Sequence, residues 1–281
     1  MTGQPSGDTF QWCFSTLGCP ELLLPDAIAL ASEFRLPAIE LRSLGGTVDL
    51  PRLFSEKNWT SESVTQLTNN AGVRLAVAGS SFKLTSTSET DRDELIAFST
   101  WADSLRIPFV RVFGGGQWGD TLAGTDFQNA ARNVEWWRAE KKSRRWRTEL
   151  LLETHDAFSG SAPCLELNGR LSEPIGIIWD SHHTWRYAGE SPNESWNRLG
   201  QWVRHVHIKD SISKPSARHP FTYVLPGDGE MPMADVIAIL RREEFDGAVS
   251  LEWEKLWHPE IAEPEIALAD YVNTMSQHFK M

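Results

Sequence analysis

The chain has 281 residues, 41% of them hydrophobic, and a formal net charge of −11. Its length accommodates one large domain or two ordinary ones, since α/β barrels commonly run to about 250 residues as one unit. The acidic balance argues against sequence-independent nucleic-acid binding, which depends on clustered Lys and Arg.

The one basic run, Lys141-Lys142-Ser143-Arg144-Arg145, reads as the solvated end of a helix. Cys13, Cys19 and Cys164 show no zinc spacing and read as small core residues in a reducing compartment. The start, MTGQPSGDTF, lacks the basic segment and apolar stretch of a signal peptide. No apolar run approaches the roughly 18 residues of a membrane span. The expectation is a cytoplasmic protein without membrane contact.

Residues 1–10 read as a flexible lead-in. Strand-like runs follow at 12–17, 38–42, 74–79, 109–113, 149–153, 176–180, 204–208 and 248–253. Between them lie helix-like stretches. Pro25-Asp26 opens one through Ile28, Leu30 and Phe34, and 91–105 places Leu95, Phe98, Trp101 and Leu105 on one face. The stretch 159–173 predicts only a short or irregular element, and helices at 233–240 and 264–279 complete the order. Eight strands alternating with helices predict parallel βαβ units closed into a single (β/α)8 barrel over 1–281. An open doubly wound sheet is the alternative, but Leu17-Gly18-Cys19-Pro20 is not its glycine fingerprint.

Four strand ends carry the chemistry: LLLETH with Glu153 and His155, IIWDSHH with Asp180 and His183, HVHIKD with His205 and His207, and VSLEWE with Glu252 and Glu254. Buried carboxylates are costly unless paired, hydrogen-bonded or bound to a cation. In a parallel barrel these strand ends converge on one face, so a shared divalent metal is the simplest explanation. Residues i and i+2 on a strand share a side, which groups Glu153 with His155, His205 with His207, and Glu252 with Glu254. A carboxylate and imidazole set without thiolate favours Mn, Co, Zn or Mg, with manganese the first choice. Such an ion beside a basic carboxylate suits proton abstraction next to a carbonyl and a metal-stabilised enediolate.

Other residues keep two readings. Glu40 and Arg111 form a buried pair at the barrel mouth or contact substrate. Lys209 and Asp210 pair with each other or Lys209 reaches substrate. His205 is a ligand or lies hydrogen-bonded beneath the site. Gly114-Gly115-Gly116 is a flexible turn or a backbone approach for a ligand, and Gly227-x-Gly229 is a turn. Among 13 tryptophans, Trp118, Trp185 and Trp257 read as loop residues just beyond strand ends. There they would form a rim suited to an unphosphorylated sugar, glycoside or polyol.

These segments, with Ala38-Ile39-Glu40-Leu41-Arg42, Val110-Arg111-Val112-Phe113 and Leu225-Pro226-Gly227-Asp228-Gly229-Glu230, resemble the xylose isomerase-like barrel superfamily over nearly the whole chain. The resemblance implies metal ligands at Glu153, Asp180, His207 and Glu252, the spacing from Gly247 favouring Glu252 over Glu254. It also implies a substrate contact at His183, acid–base roles for Glu153 and Glu252, and a weaker substrate contact at Arg218. The related endonuclease IV has additional histidines where this chain has Gly79-Ser80-Ser81 and Phe113-Gly114-Gly115-Gly116, which argues against DNA repair.

The resulting expectation is a metal-dependent sugar isomerase or epimerase. β-Elimination on a keto-polyol or keto-glycoside is the alternative, and a non-catalytic sugar-binding barrel is the third reading. A small carbohydrate is the expected partner, and an aromatic rim accords with the homo-oligomers common in the superfamily.

Overall fold

The structure, a computed structural model, describes residues 9–277. All eight expected barrel strands form. They are β1 (Gln11–Ser15), β2 (Ala38–Leu41), β3 (Arg74–Lys83), β4 (Phe109–Phe113), β5 (Glu149–Glu153), β6 (Gly176–Asp180), β7 (Val203–Ile208) and, last in sequence, β10 (Ala248–Leu251). A two-stranded antiparallel hairpin, β8 (Asp210–Ile212) and β9 (Thr222–Val224), intervenes before β10. The barrel strands are parallel in the order β1-β10-β7-β6-β5-β4-β3-β2, and β1 pairs with both β10 and β2 to close the ring.

Around the ring lie α1 (Leu24–Glu33), α2 (Leu50–Glu56), α3 (Ser61–Ala71), α4 (Glu89–Ser104), α5 (Gly124–Arg144), α6 (Ser161–Asn168), α7 (Ser181–Arg186), α8 (Pro192–Leu199), α9 (Met233–Arg242) and α10 (Pro264–Gln277). None of the described helices is long and apolar enough to cross a membrane.

Side-chain size decides how the barrel fills. Cys13, Ala38, Ala76, Val77, Leu151, Ile178 and Ala248 form one buried apolar cluster, while the larger cluster joins strands to helices. Alternation along each strand sends one set of side chains inward and the other toward the helices. The helix shell is fixed by local signals as well as by packing. At α8, Ser191 caps the backbone of Glu194 while the Glu194 carboxylate accepts from Ser191 N at 2.8 Å. Such a cap contributes about 0.5–2 kcal/mol. It seats Trp196 against Trp179, with ring centroids 5.5 Å apart.

Several boundaries differ from the sequence reading. β3 runs on to Lys83 rather than stopping at Gly79, through a register shift against β4. The strand 7-to-8 connection contains the unforeseen hairpin, because runs of three residues carry no readable period. Trp185 lies in α7, not in a loop, because Asp180 caps that helix directly at the end of β6. The stretch after β5 is a 3₁₀ turn (Asp156–Phe158) followed by the short α6, as expected.

Of the lead-in, residues 1–8 lie outside the described residues. Phe10 is buried edge-on against Trp12, and Thr9 Oγ1 donates to Phe245 O at 2.6 Å. Helix α10 is described to Gln277, so the expected end at 279 lies outside the described residues.

Two glycine-rich segments are close approaches. A Cβ at Gly114 would stand 1.9 Å from the Phe158 ring, so this run is packed. At the other, the Asp210 carboxylate accepts from the backbone nitrogens of Gly227, Gly229 and Met231, each at 3.0 Å. A Cβ at Gly229 would stand 2.0 Å from Asp210 Oδ1 and 2.8 Å from Ser211 O. Gly229→Ala is therefore expected to cost about 1–3 kcal/mol through overpacking. A thermal melt and urea titration measure it, and a change within about 0.5 kcal/mol, the ordinary surface range, would contradict this packing.

Candidate metal and active site

The ends of β5, β6, β7 and β10 meet at one mouth of the barrel. Asp180 and His207 are register partners on β6 and β7, and His207 is in turn the partner of Ser250 on β10. Glu252 follows two residues beyond Ser250, with its backbone nitrogen bonded to Ile208 O at 3.0 Å. Glu153 ends β5. One donor atom from each of Glu153, Asp180, His207 and Glu252 lies within 4.8 Å of the other three. All four residues are buried.

His207 Nδ1 is the hub, 3.2 Å from Glu153 Oε1, 3.4 Å from Glu252 Oε1 and 3.9 Å from Asp180 Oδ2. Asp180 serves two neighbours at once. Its Oδ1 accepts from His183 N at 2.8 Å as the cap of α7, which aims Oδ2 at the cluster.

Two buried cations hold this charge. Arg111 donates to Glu153 Oε2 at 2.6 Å, and its guanidinium lies 4.0 Å from the centre of the Phe113 ring. Lys209 Nζ lies 2.5 Å from Glu252 Oε2 and 2.8 Å from both Glu254 Oε1 and Asp180 Oδ2. Burial raises the Glu153 carboxyl, but Arg111 and His207 together hold the group far below the usual carboxylate range. Burial likewise opposes ionisation of Glu252, yet His207 and Lys209 hold it well below that range. Burial pushes Asp180 up to about 7, with Lys209 pulling against it and Glu252 adding to the rise. Burial alone would lower His207, but Glu252 and Glu40 carry it well above its ordinary value.

The donor set fits a hard or borderline divalent cation: three carboxylates and one imidazole, with no thiolate. Asp180 Oδ2 is buried without a hydrogen bond, since Lys209 reaches it only as an ion-pair contact. An oxygen left in that state is a natural donor to an ion.

The remaining sequence candidates divide. His183 stands beside the cluster, its Nδ1 3.0 Å from Thr154 O. That bond places the ring proton on Nδ1 and leaves Nε2 without a hydrogen-bond partner among the described residues. Burial, then the charge of Lys209, keeps this ring well below its ordinary value and hence neutral. Arg111 pairs with Glu153 and not, as anticipated, with Glu40; Glu40 instead takes the Nε2 atoms of His205 and His207, at 3.0 and 2.8 Å. Lys209 and Asp210, at the junction of β7 and β8, do not pair with each other; Lys209 turns to the carboxylates and Asp210 to the glycine loop.

Trp118 is exposed at the mouth, with its ring 4.8 Å from Tyr187. Trp185 is half-buried in α7 under Arg186, whose guanidinium lies 4.2 Å from its ring centre. Trp257 is exposed in the loop after β10. Arg218 is exposed between β8 and β9 and forms no hydrogen bond or ion pair among the described residues.

Sequence reasoning underrated Lys209 as the cation serving three carboxylates. Its signal was available: it is the one cation in the four segments that falls on a strand end. The aromatic lining of the β8–β9 hairpin, Phe221 and Tyr223 packed against His182 at 5.3 and 5.7 Å, was missed altogether.

Comparison with known proteins places this geometry. The profile of the xylose isomerase-like TIM barrel family matches residues 28–270. The chain belongs to that family. Among curated members, it is 32% identical over 118 residues to a 3-dehydroshikimate dehydratase of Bacillus anthracis, covering 37% of this chain and 41% of that protein. It is 26% identical over 102 residues to an inosose dehydratase of Clostridium botulinum, covering 32% and 33%. The matches thus span well under half the length of either relative.

Three solved structures share the fold. A probable 3-DHS dehydratase of Bacillus anthracis superposes with TM-score 0.77 at 18% identity, over 95% of this chain and 99% of that one. The IOLI protein, with a binding zinc atom, gives TM-score 0.72 at 16% identity over 97% and 100%. A D-allulose 3-epimerase of Methylomonas sp., in complex with D-allulose, gives 0.69 at 13% identity over 96% and 97%. Members of this family are enzymes of more than one reaction class.

A cation entering the four-residue set competes with the protons on Asp180 and His207, both raised into or above the neutral range. Divalent-ion binding is expected to release protons and to tighten as pH rises from about 6 to 8. Calorimetry in buffers of different ionisation enthalpy counts those protons; binding with no proton release and no pH dependence would contradict the arrangement.

Proposed function

We propose that this chain is a metal-dependent enzyme acting on a small, unphosphorylated keto-sugar or keto-polyol. It removes a proton from the carbon beside the carbonyl, and loss of water follows. The observation that carries this reading is the buried set of Glu153, Asp180, His207 and Glu252 converging within 4.8 Å at the C-terminal mouth of the barrel. A divalent cation held by those four residues would supply Lewis acidity to a carbonyl oxygen.

The flanking residues divide the remaining work. Glu252 is the proton acceptor, with its Oε2 positioned by Lys209 at 2.5 Å. As the proton leaves, its electron pair becomes the new carbon–carbon double bond and the bond to the β oxygen breaks. The departing hydroxide takes up the proton that Glu252 has received and leaves as water, which returns Glu252 to its carboxylate. Lys209, also 2.8 Å from Glu254, offers a positive charge and N–H donors to oxygen that becomes negative. His183 presents its free Nε2 to hydroxyl groups of the substrate, and Trp118 offers an exposed apolar face.

Elimination is favoured over proton return by the inequality of the two glutamates. An epimerase needs a proton shuttle on each face of the substrate. Glu153 is bonded to the enclosed guanidinium of Arg111 at 2.6 Å, whereas Glu252 faces the flexible ammonium of Lys209, shared with Asp180 and Glu254. Glu252 is therefore the more readily freed to take a proton, and Glu153 is the poorer shuttle. Both partial relatives carry dehydratase names, which supports the same choice. Isomerisation or epimerisation, the first expectation from the sequence, starts with the same step and becomes the second reading. It draws on one observation: His207 Nδ1 sits almost equally far from Glu153 and Glu252, at 3.2 and 3.4 Å.

Mass spectrometry of products from a panel of keto-polyols and 3-keto-glycosides, run in heavy water with added Mn, Co, Zn or Mg, separates the readings. A product lighter by water is expected. A product of unchanged skeleton carrying deuterium at carbon would establish the isomerase reading instead. Glu252→Gln should lower kcat by about 10²–10⁴-fold, the usual worth of a general base. Unchanged turnover in that variant would remove the role assigned to Glu252.

A further inference from the structure

We propose that Glu40 is a positioning residue: it presents Nδ1 of His207 to the cation, with His205 as its second anchor. This rests on reading the four-residue set as a cation site. Glu40 Oε2 lies 2.8 Å from His207 Nε2 and 3.0 Å from His205 Nε2. A carboxylate accepts and does not donate, so both rings carry their proton on Nε2. For His207 the Nε2 proton stays hydrogen-bonded to Glu40, so the proton that an entering cation displaces is the one on Nδ1, the atom facing Glu153, Glu252 and Asp180. Nδ1 is then the nitrogen that donates a lone pair.

Glu40 is itself fully buried beneath His207, out of reach of a substrate at the mouth. It reaches this position from β2 because Arg111 is taken by Glu153, which frees the Glu40 carboxylate for the histidines.

His205 makes the placement rigid. Its ring stands at 90° to that of His207, with centroids 5.3 Å apart, so one oxygen receives two donors from different directions. The space for it exists because its register partner on β10 is Ala248, and Ala38 lies two residues before Glu40 on β2. Glu40, His205 and His207 are each no more than 1% exposed, so water cannot replace a missing partner without rearrangement. Glu40 Oε1 is left buried without a hydrogen bond, as expected of a carboxylate held by both anchors at its other oxygen. Carboxylates behind ligating histidines orient the ring and raise its basicity, and losing one typically costs 10–100-fold in metal affinity.

The test is zinc affinity, by competition with a chromophoric chelator, for the parent protein, Glu40→Gln, Glu40→Ala and His205→Asn. Glu40→Gln keeps the shape and an accepting oxygen and is expected to bind about tenfold more weakly. Glu40→Ala is expected to bind about a hundredfold more weakly. His205→Asn should fall between the parent and Glu40→Ala. In zinc-loaded, ¹⁵N-labelled parent protein, the His207 Nε2–H should appear as a downfield, slowly exchanging proton. It should be lost in Glu40→Ala, and zinc-loaded parent protein in which His207 instead carries its proton on Nδ1 would overturn the proposal.

Circular dichroism of the zinc-free variants confirms folding, and Glu40→Gln serves if Glu40→Ala does not fold. Parent protein that binds no zinc would overturn the cation site itself. Tight binding by the parent with affinities within twofold in the folded variants would overturn only the role of Glu40.

Discussion

The structure depends on one electrostatic constraint: Glu153, Asp180 and Glu252, buried at the C-terminal mouth of a barrel, must be matched by positive charge. Removing one partner from a buried ion pair typically costs 3–5 kcal/mol, because the other is left uncompensated. Arg111 and Lys209 meet that demand from β4 and the end of β7. Their placement differs in kind. Arg111 is enclosed, with a planar fork fixed on Glu153 and a second bond to Ser80 O at 3.1 Å. Lys209 is a flexible stem ending among three carboxylate oxygens. A cation arriving in the cluster competes with the ammonium far more readily than with the guanidinium. The charge on the Lys209 side is therefore the adjustable half of the site.

The layers beneath the mouth follow from the same constraint. Small side chains such as Ala38 and Ala248 fill the lower interior with apolar volume, and the buried carboxylates lie above them, toward the C-terminal ends of the strands. His205 marks the boundary. It is the lowest member of the polar system and is tied upward to Glu40, which keeps buried hydrogen-bonding groups in one connected network. A connected network of this kind stiffens the residues it contains, because each partner is costly to leave unpaired.

Much of this was legible in the sequence, for physical reasons that also explain the omissions. The eight strands were readable because buried parallel strands are short continuous apolar runs, as in Leu150-Leu151-Leu152 and Ile177-Ile178-Trp179. Convergence of Glu153, Asp180, His207 and Glu252 was readable because a barrel brings all strand ends to one face. Partner choice was not. Whether Arg111 reaches Glu40 or Glu153 depends on side-chain direction across a curved interior, and period-two parity does not encode it. The β8–β9 hairpin escaped because each strand has only three residues and its pairing is set by the Asp210 bonds to a distant glycine loop. Arg218 was carried by position within a long loop, where spacing places nothing.

Two acidic residues show how the fold makes strand ends do local and distant work together. Asp180 caps α7 with one oxygen and faces the cluster with the other, so the start of that helix and the direction of the carboxylate are a single geometric fact. His183, whose amide is the capped nitrogen, is thereby held beside the cluster with its ring bonded to Thr154 O. Asp210, next to Lys209 but on the opposite side of the chain, gathers the nitrogens of Gly227, Gly229 and Met231 and so fixes the hairpin that carries Phe221 and Tyr223. The sequence Lys209-Asp210 thus directs a cation inward and an anion outward from adjacent residues. One anchors the charge of the site and the other anchors the aromatic wall above it, and a one-residue slip of β7 would exchange their places.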